Sequence, residues 1–193
     1  MRLYIESSVL TDWLFLDQVS VPSLKRVLSR ETLASYTLMR NIFHGKYADS
    51  FFTSNWAISE SLQNYLRSYA MFNMIFDNLS FRYYESVRQY SRYRLPKSAF
   101  RQLKRDLKEM FQKAQDKKRL TVVSHGSSTP IHDYLYMGFD ARDAEHVSIA
   151  IDQLSADVIV SKDRDFRDRR SDLKKLGLEV LYPSELMQRL TRR

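Results

Sequence analysis

Residues 140–166, Asp-Ala-Arg-Asp-Ala-Glu-His-Val-Ser-Ile-Ala-Ile-Asp-Gln-Leu-Ser-Ala-Asp-Val-Ile-Val-Ser-Lys-Asp-Arg-Asp-Phe, constrain the fold more than any other stretch of this chain. Ala141–Leu154 has the spacing of a helix, and Val158–Ser161 is a short uncharged run suited to a buried strand. A helix feeding such a strand belongs to a parallel sheet, in which neighbouring strands are joined by crossovers. Asp143 opens the helix, and Asp163 and Asp165 follow the strand. In α/β sheets the carboxyl edge of the strands is where ligands bind. Carboxylates converging there, with no glycine-rich loop and no cysteine beside them, point to a hard divalent cation such as Mg²⁺.

The rest of the chain repeats this alternation. Arg2–Ser7 predicts a first strand ending at Glu6, followed by a helix from about Ser8. Pro22 suits the first turn of a second helix reaching about Phe43. Ser50–Ser54 is a short β-prone run, and a helix follows from Asn55 or Trp56 to about Tyr69. Residues 71–94 read as helical and aromatic-rich, broken at Leu95-Pro96. Ser98 is placed to cap the next helix, with Phe100, Leu103, Leu107, Met110, Phe111 and Ala114 on one face. Leu120–Ser124 and Leu178–Tyr182 complete the strands, Gly126–Pro130 is a loop, and Ser184–Leu190 is a closing helix. The expected architecture is a three-layer α/β/α sandwich with a mostly parallel central sheet. It forms a single domain over residues 1–193, with an expanded helical segment at 70–119.

The formal charge is +8, but it is local: residues 82–119 hold 13 Lys/Arg against 4 Asp/Glu. A concentrated basic segment favours a binding surface over general solubility. Within it, Arg82, Arg88, Arg92 and Arg94 interleave with Tyr83, Tyr84, Tyr90 and Tyr93, and Arg101, Lys104, Arg105 and Lys108 share a helix face. Cations of this kind track phosphates while tyrosines stack on unpaired bases, so the segment as a whole favours binding a polyanion. For any one of these residues the plainer reading is a solvated helix face over an aromatic core.

Absence of cysteine excludes a disulfide framework, a thiolate zinc site and a thiol nucleophile, and fits a cytoplasmic protein. Glu6 and Asp12 interrupt the first apolar stretch, so it does not read as a secretory signal. No apolar run approaches the ~18 residues of a membrane span.

Three places put acids near strand ends: Glu6, Glu60, and Asp143 with Asp163 and Asp165. A parallel sheet brings all such ends to one side, where four or five carboxylates can hold Mg²⁺, with Mn²⁺ as the alternative. Each has an ordinary use as well: Asp143 as a first-turn helix acid, Asp163 and Asp165 as turn residues, Glu60 as a solvated glutamate. Glu6 stands in an apolar strand end, where a lone charge is costly and requires a partner. His146, one turn after Asp143, reads as a structural or orienting histidine, and Asp12 and Asp152 as surface acids.

The chain resembles the PIN-domain family, which includes VapC-type toxins. The resemblance rests on Tyr4-Ile5-Glu6-Ser7-Ser8-Val9-Leu10, on Thr53-Ser54 through Glu60-Ser61-Leu62, on Asp143-Ala144-Glu145-His146-Val147-Ser148-Ile149-Ala150, and above all on Ser161-Lys162-Asp163-Arg164-Asp165-Phe166. It covers roughly the first 65 and last 55 residues and departs from the family in having Glu6 where an aspartate is usual. The resemblance implies a Mg²⁺-dependent ribonuclease cutting single-stranded or loop RNA. Glu6, Glu60, Asp143 and Asp163 would be metal ligands, with Asp165 assisting catalysis. It further implies a homodimer and, for a toxin, a small antitoxin protein over the acidic cleft. The rival expectations are a non-catalytic RNA-binding or scaffold protein on the same fold, and a structure-specific DNA nuclease.

Overall fold

The computed structural model describes residues 1–18, 28–87, 91–124 and 131–192. Its centre is a five-stranded sheet in the order β3-β2-β1-β4-β5, formed by β1 (Arg2–Ile5), β2 (Ser50–Ser54), β3 (Thr121–Val123), β4 (Val158–Val160) and β5 (Glu179–Leu181). Every pairing is parallel, so the sheet is wholly rather than mostly parallel. The helices are α1 (Ser7–Gln18), α2 (Arg30–Phe43), α3 (Asn55–Phe76), α4 (Tyr84–Val87), α5 (Lys97–Asp116), α6 (His132–Tyr136), α7 (Ala141–Ser148), α8 (Arg164–Asp168), α9 (Arg170–Lys175) and α10 (Pro183–Thr191). A wider π-helical turn, Ile149–Gln153, continues α7.

Alternation along the strands divides the core in two. Leu3, Ile5, Val158 and Val160 pack with Leu10, Leu38, Leu107 and Leu186, from α1, α2, α5 and α10. Tyr4, Ile159 and Val180 face the other way and pack with Val147, Phe166 and Leu173, from α7, α8 and α9. Parallel strands buried on both faces require this double cover. Each fully buried side chain of the Leu or Ile type contributes about 1.5–3 kcal/mol. The result is three layers, α/β/α.

Strand order reverses at β1, whose neighbours are β2 on one side and β4 on the other. Such a reversal opens a crevice outside the carboxyl ends of the two strands. Ile5 pairs with Val160, so the next residues, Glu6 and Ser161, meet at its mouth.

Several boundaries differ from expectation. α2 begins at Arg30 rather than Pro22, because Ser29 caps it by accepting from the Thr32 N–H at 3.1 Å. Pro22 itself and the Gly126–Pro130 loop lie outside the described residues. α3 runs unbroken to Phe76, and the described residues 81–87 and 91–93 hold single short helical turns, so the helical segment expected over 71–94 is not one helix. α5 starts at Lys97 after Pro96, so Ser98 lies inside it and caps nothing. Pro96, at φ −53° and ψ 140°, has a non-helical ψ and so occupies the cap position itself.

Ser54 links fold and site. Its Oγ accepts from the Ala57 N–H at 3.0 Å, capping α3, and lies 2.9 Å from the Tyr4 hydroxyl. Ser54→Ala is expected to cost about 2 kcal/mol, from the lost cap and a buried hydroxyl deprived of a partner. A lowered urea midpoint at unchanged m-value is the readout.

Candidate metal centre

Short turns after β1 and β4, the second turn of α3 and the first turn of α7 deliver the acids to the crevice. Two groups form there. Asp143, Asp163 and Asp165 each bring a carboxylate oxygen within 4.8 Å of the others. Glu6, Glu60 and His146 do the same with two carboxylates and a ring nitrogen, deeper in the protein.

The Glu6 carboxylate is 3% exposed and fully engaged. On Oε1 it accepts from the Ser7 hydroxyl and from the Ser8 N–H at 2.9 Å. On Oε2 it accepts from the hydroxyls of Ser8 at 2.5 Å and Ser161 at 2.9 Å. An ionised carboxylate offers about four acceptor positions, and all four are filled. The partner that burial demanded is therefore a ring of serine hydroxyls and one amide.

Glu60 meets His146 instead. The His146 Nε2–H donates to Glu60 Oε2 at 2.8 Å, and Nδ1 lies 2.9 Å from the Tyr4 hydroxyl. His146 is 1% exposed. Burial opposes its charge, but the Glu60 hydrogen bond and the nearby Glu6, Glu60 and Asp143 charges outweigh burial and raise its pKa. Burial likewise works to raise the Glu60 carboxyl, yet the His146 bond holds it below the usual carboxylate range. Burial pushes the Tyr4 hydroxyl up, so it stays neutral. Glu60 Oε1 also lies 3.7 Å from the Arg142 guanidinium.

Asp143 is different. Burial first, then the neighbouring Asp140, Asp163 and Glu6 charges, push its carboxyl up to about 7, with His146 pulling the other way. A carboxyl held up by acidic neighbours is relieved by a cation. Asp143 stands in the first turn of α7, as expected, but does not cap it. Asp140 does, accepting from the N–H groups of Arg142 and Asp143 at 2.8 and 2.9 Å, which leaves the Asp143 side chain free of capping.

Asp163 caps α8 by accepting from the Asp165 N–H on Oδ1 at 2.9 Å, while its own N–H donates to Ser161 Oγ. Asp165 is half exposed and lies 3.8 Å from Arg169. The outer group is thus the more open of the two, which suits an ion that keeps several waters. An all-oxygen donor set of three carboxylates fits Mg²⁺ or Mn²⁺.

Asp12 is not a surface acid. α1 turns it inward, where it is buried and pairs with Lys162 Nζ at 2.5 Å. Asp152 is exposed and accepts from the Tyr134 hydroxyl. Sequence reasoning also left Ser7, Ser161 and Tyr4 unassigned. The signal for Tyr4 was a polar tip in an otherwise apolar strand, facing the helix that carries His146.

The expected RNA-binding residues divide as well. Arg101, Lys104, Arg105 and Lys108 are exposed on α5, opposite the buried Leu103, Leu107, Phe111 and Ala114. Arg82 stacks over Tyr83, and Arg92 pairs with Asp77 and stacks over Tyr93. Arg88 and Tyr90 lie outside the described residues.

Compared with known proteins, the chain matches no family model and aligns with no characterised protein. No helix among the described residues is long and apolar enough to cross a membrane.

Proposed function

We propose that this protein is a metal-dependent endoribonuclease of PIN type, acting on single-stranded or loop RNA. The observation that carries the reading is the Asp143–Asp163–Asp165 group at the strand-order reversal of a parallel sheet, with Asp143 pushed up to about 7. The PIN-like order of acids along the chain, Glu6, Glu60, Asp143 and Asp163, supports it further.

When bound, Mg²⁺ or Mn²⁺ polarises a phosphodiester and lowers the pKa of a coordinated water. Asp143, Asp163 and Asp165 supply the oxygen donors. Glu60, fixed by His146 and Arg142, stands at the inner wall. Glu6 joins the end of β1 to Ser161 at the end of β4, and so holds the two walls of the crevice at one spacing. Exposed cations on α5 hold the substrate backbone by its phosphates.

A toxin of this type carries a small antitoxin over the acidic cleft and forms a homodimer. Exposed Phe72, Ile75 and Phe76 at the end of α3 support a self-association surface. The rival reading, an RNA-binding protein that does not cut, draws its support from Glu6, whose acceptor positions are taken by three hydroxyls and one amide.

The deciding experiment is cleavage of a labelled panel of single-stranded and hairpin RNAs and matched DNAs in Mg²⁺, Mn²⁺ and EDTA. Metal-dependent cutting of RNA, lost in Asp163→Asn, is the expected result. Salt-sensitive RNA binding with no cutting in either metal selects the rival.

A further inference from the structure

One face of α3 carries two hollows in tandem. Asn55, Ile58, Ser59 and Leu62 line a groove of about 300 Å³ against α5. Gln63, Leu66, Arg67 and Ala70 line a cavity of about 570 Å³ farther along. These positions follow the three- and four-residue spacing of one helix face, so the hollows form a track about 22 Å long at 1.5 Å per residue. Ser59, at the near end, is the chain neighbour of Glu60 in the candidate centre.

The chemistry of the track is uniform. Lys104 and Lys108 border the groove. Arg67, Arg94 and Lys97 border the cavity, whose remaining wall includes Tyr84, Tyr93, Leu95, Pro96 and Phe100. No carboxylate lines either hollow among the described residues. The larger has the volume of a small-molecule pocket, roughly 300–1,000 Å³. Rings with cations around them, and no acid, match an unpaired nucleobase flanked by phosphates. Aromatic faces accept a base by stacking, and guanidinium and ammonium groups take the phosphates on either side.

We propose that the α3–α5 groove guides the RNA strand away from the centre and that the Tyr84–Tyr93–Phe100 cavity receives one unpaired base, making it a specificity subsite. This rests on the ribonuclease reading for the direction of the strand, but base capture itself needs no metal. The strand lies along Lys104 and Lys108, turns one base between Tyr84 and Phe100, and sets the position of the scissile bond by its distance from that base. Arg67 and Lys104 lie over the Tyr84 and Phe100 rings, at 5.4 and 5.8 Å, so an entering base displaces each cation toward the flanking phosphate.

The test is binding, by fluorescence anisotropy in EDTA, of a labelled single-stranded RNA and of the same RNA with one abasic ribose moved along it. The wild-type protein is expected to lose about tenfold in affinity when the abasic site reaches one position, the worth of one stacked base. Tyr84→Ala with Phe100→Ala abolishes that positional dependence, while Tyr84→Phe with Phe100→Tyr, which retains the rings, restores it. Lys104→Glu with Lys108→Glu weakens every RNA alike and lowers the salt slope by about two. A flat abasic scan, or ring-deleted protein that keeps the positional dependence, overturns the proposal. Cleavage of the same RNAs in Mn²⁺ separates the two readings. Cutting with a flat scan removes the subsite and keeps the nuclease. A positional scan without cutting keeps the subsite and removes the nuclease.

Discussion

Asp143→Asn is expected to abolish metal-dependent RNA cleavage, lowering the rate at least a hundredfold, while making the metal-free protein more stable at pH 8. The two effects share one cause. Burial and three acidic neighbours hold the Asp143 carboxyl near 7, well above its value in the unfolded chain. Between about pH 4 and pH 7 the folded protein therefore binds more protons than the unfolded chain, and stability falls as pH rises. Above 7 the folded protein carries the full penalty of the charge, and asparagine removes it. After allowance for solvent screening of a part-exposed group, the gain is about 1–2 kcal/mol at pH 8 and vanishes near pH 4. Mg²⁺ or Mn²⁺ should raise the wild-type melting temperature and leave that of the variant unchanged. Thermal scans across pH, with metal and with EDTA, check each part. Equal metal response in both proteins would place the ion elsewhere.

His146→Ala should produce the largest loss of stability, about 2–4 kcal/mol at pH 6, by stripping the partly buried Glu60 carboxylate of its nearer cationic partner and leaving only Arg142. The ring reaches Glu60 through Nε2 and Tyr4 through Nδ1, and both partners lose it together. The direction with pH follows from the raised pKa of His146. Stabilisation by the charged ring is complete below the ordinary histidine value and is lost as pH rises through the folded one. The cost of the substitution is therefore larger at pH 6 than at pH 9. Urea unfolding of both proteins at the two pH values measures it, and a pH-independent cost would show that the ring is neutral in the folded protein.

The parallel sheet was legible because its strands are short, uncharged and separated by amphipathic helices, a pattern few other folds produce. The face division of α5 was legible for the same reason: Leu103, Leu107 and Phe111 recur on one side. The segment from 71 to 94 misled because its aromatic residues satisfy a helical period without forming one helix. Tyr93 instead folds back on Ala70 and Met74 to make a small separate core. At the site, the acids were legible as types at strand ends, but their division into two groups was not. That division depends on which hydroxyls reach Glu6, and Ser161 is 155 residues away in the chain. Asp12 reads as a solvent-facing acid in one dimension, and only the packing of α1 under Lys162 buries it.

The small core of Ala70, Met74 and Tyr93 stands apart from the two that cover the sheet. A unit with so few buried side chains opens at a lower free energy than the sheet and does so independently of it. On the ribonuclease reading proposed above, this separates the wall of the base cavity from what holds the acids in place. Substitutions around residues 77–87 and 91–95 are therefore tolerated at little cost to the crevice, where the Glu6–Ser161 bond stays made even when this unit opens.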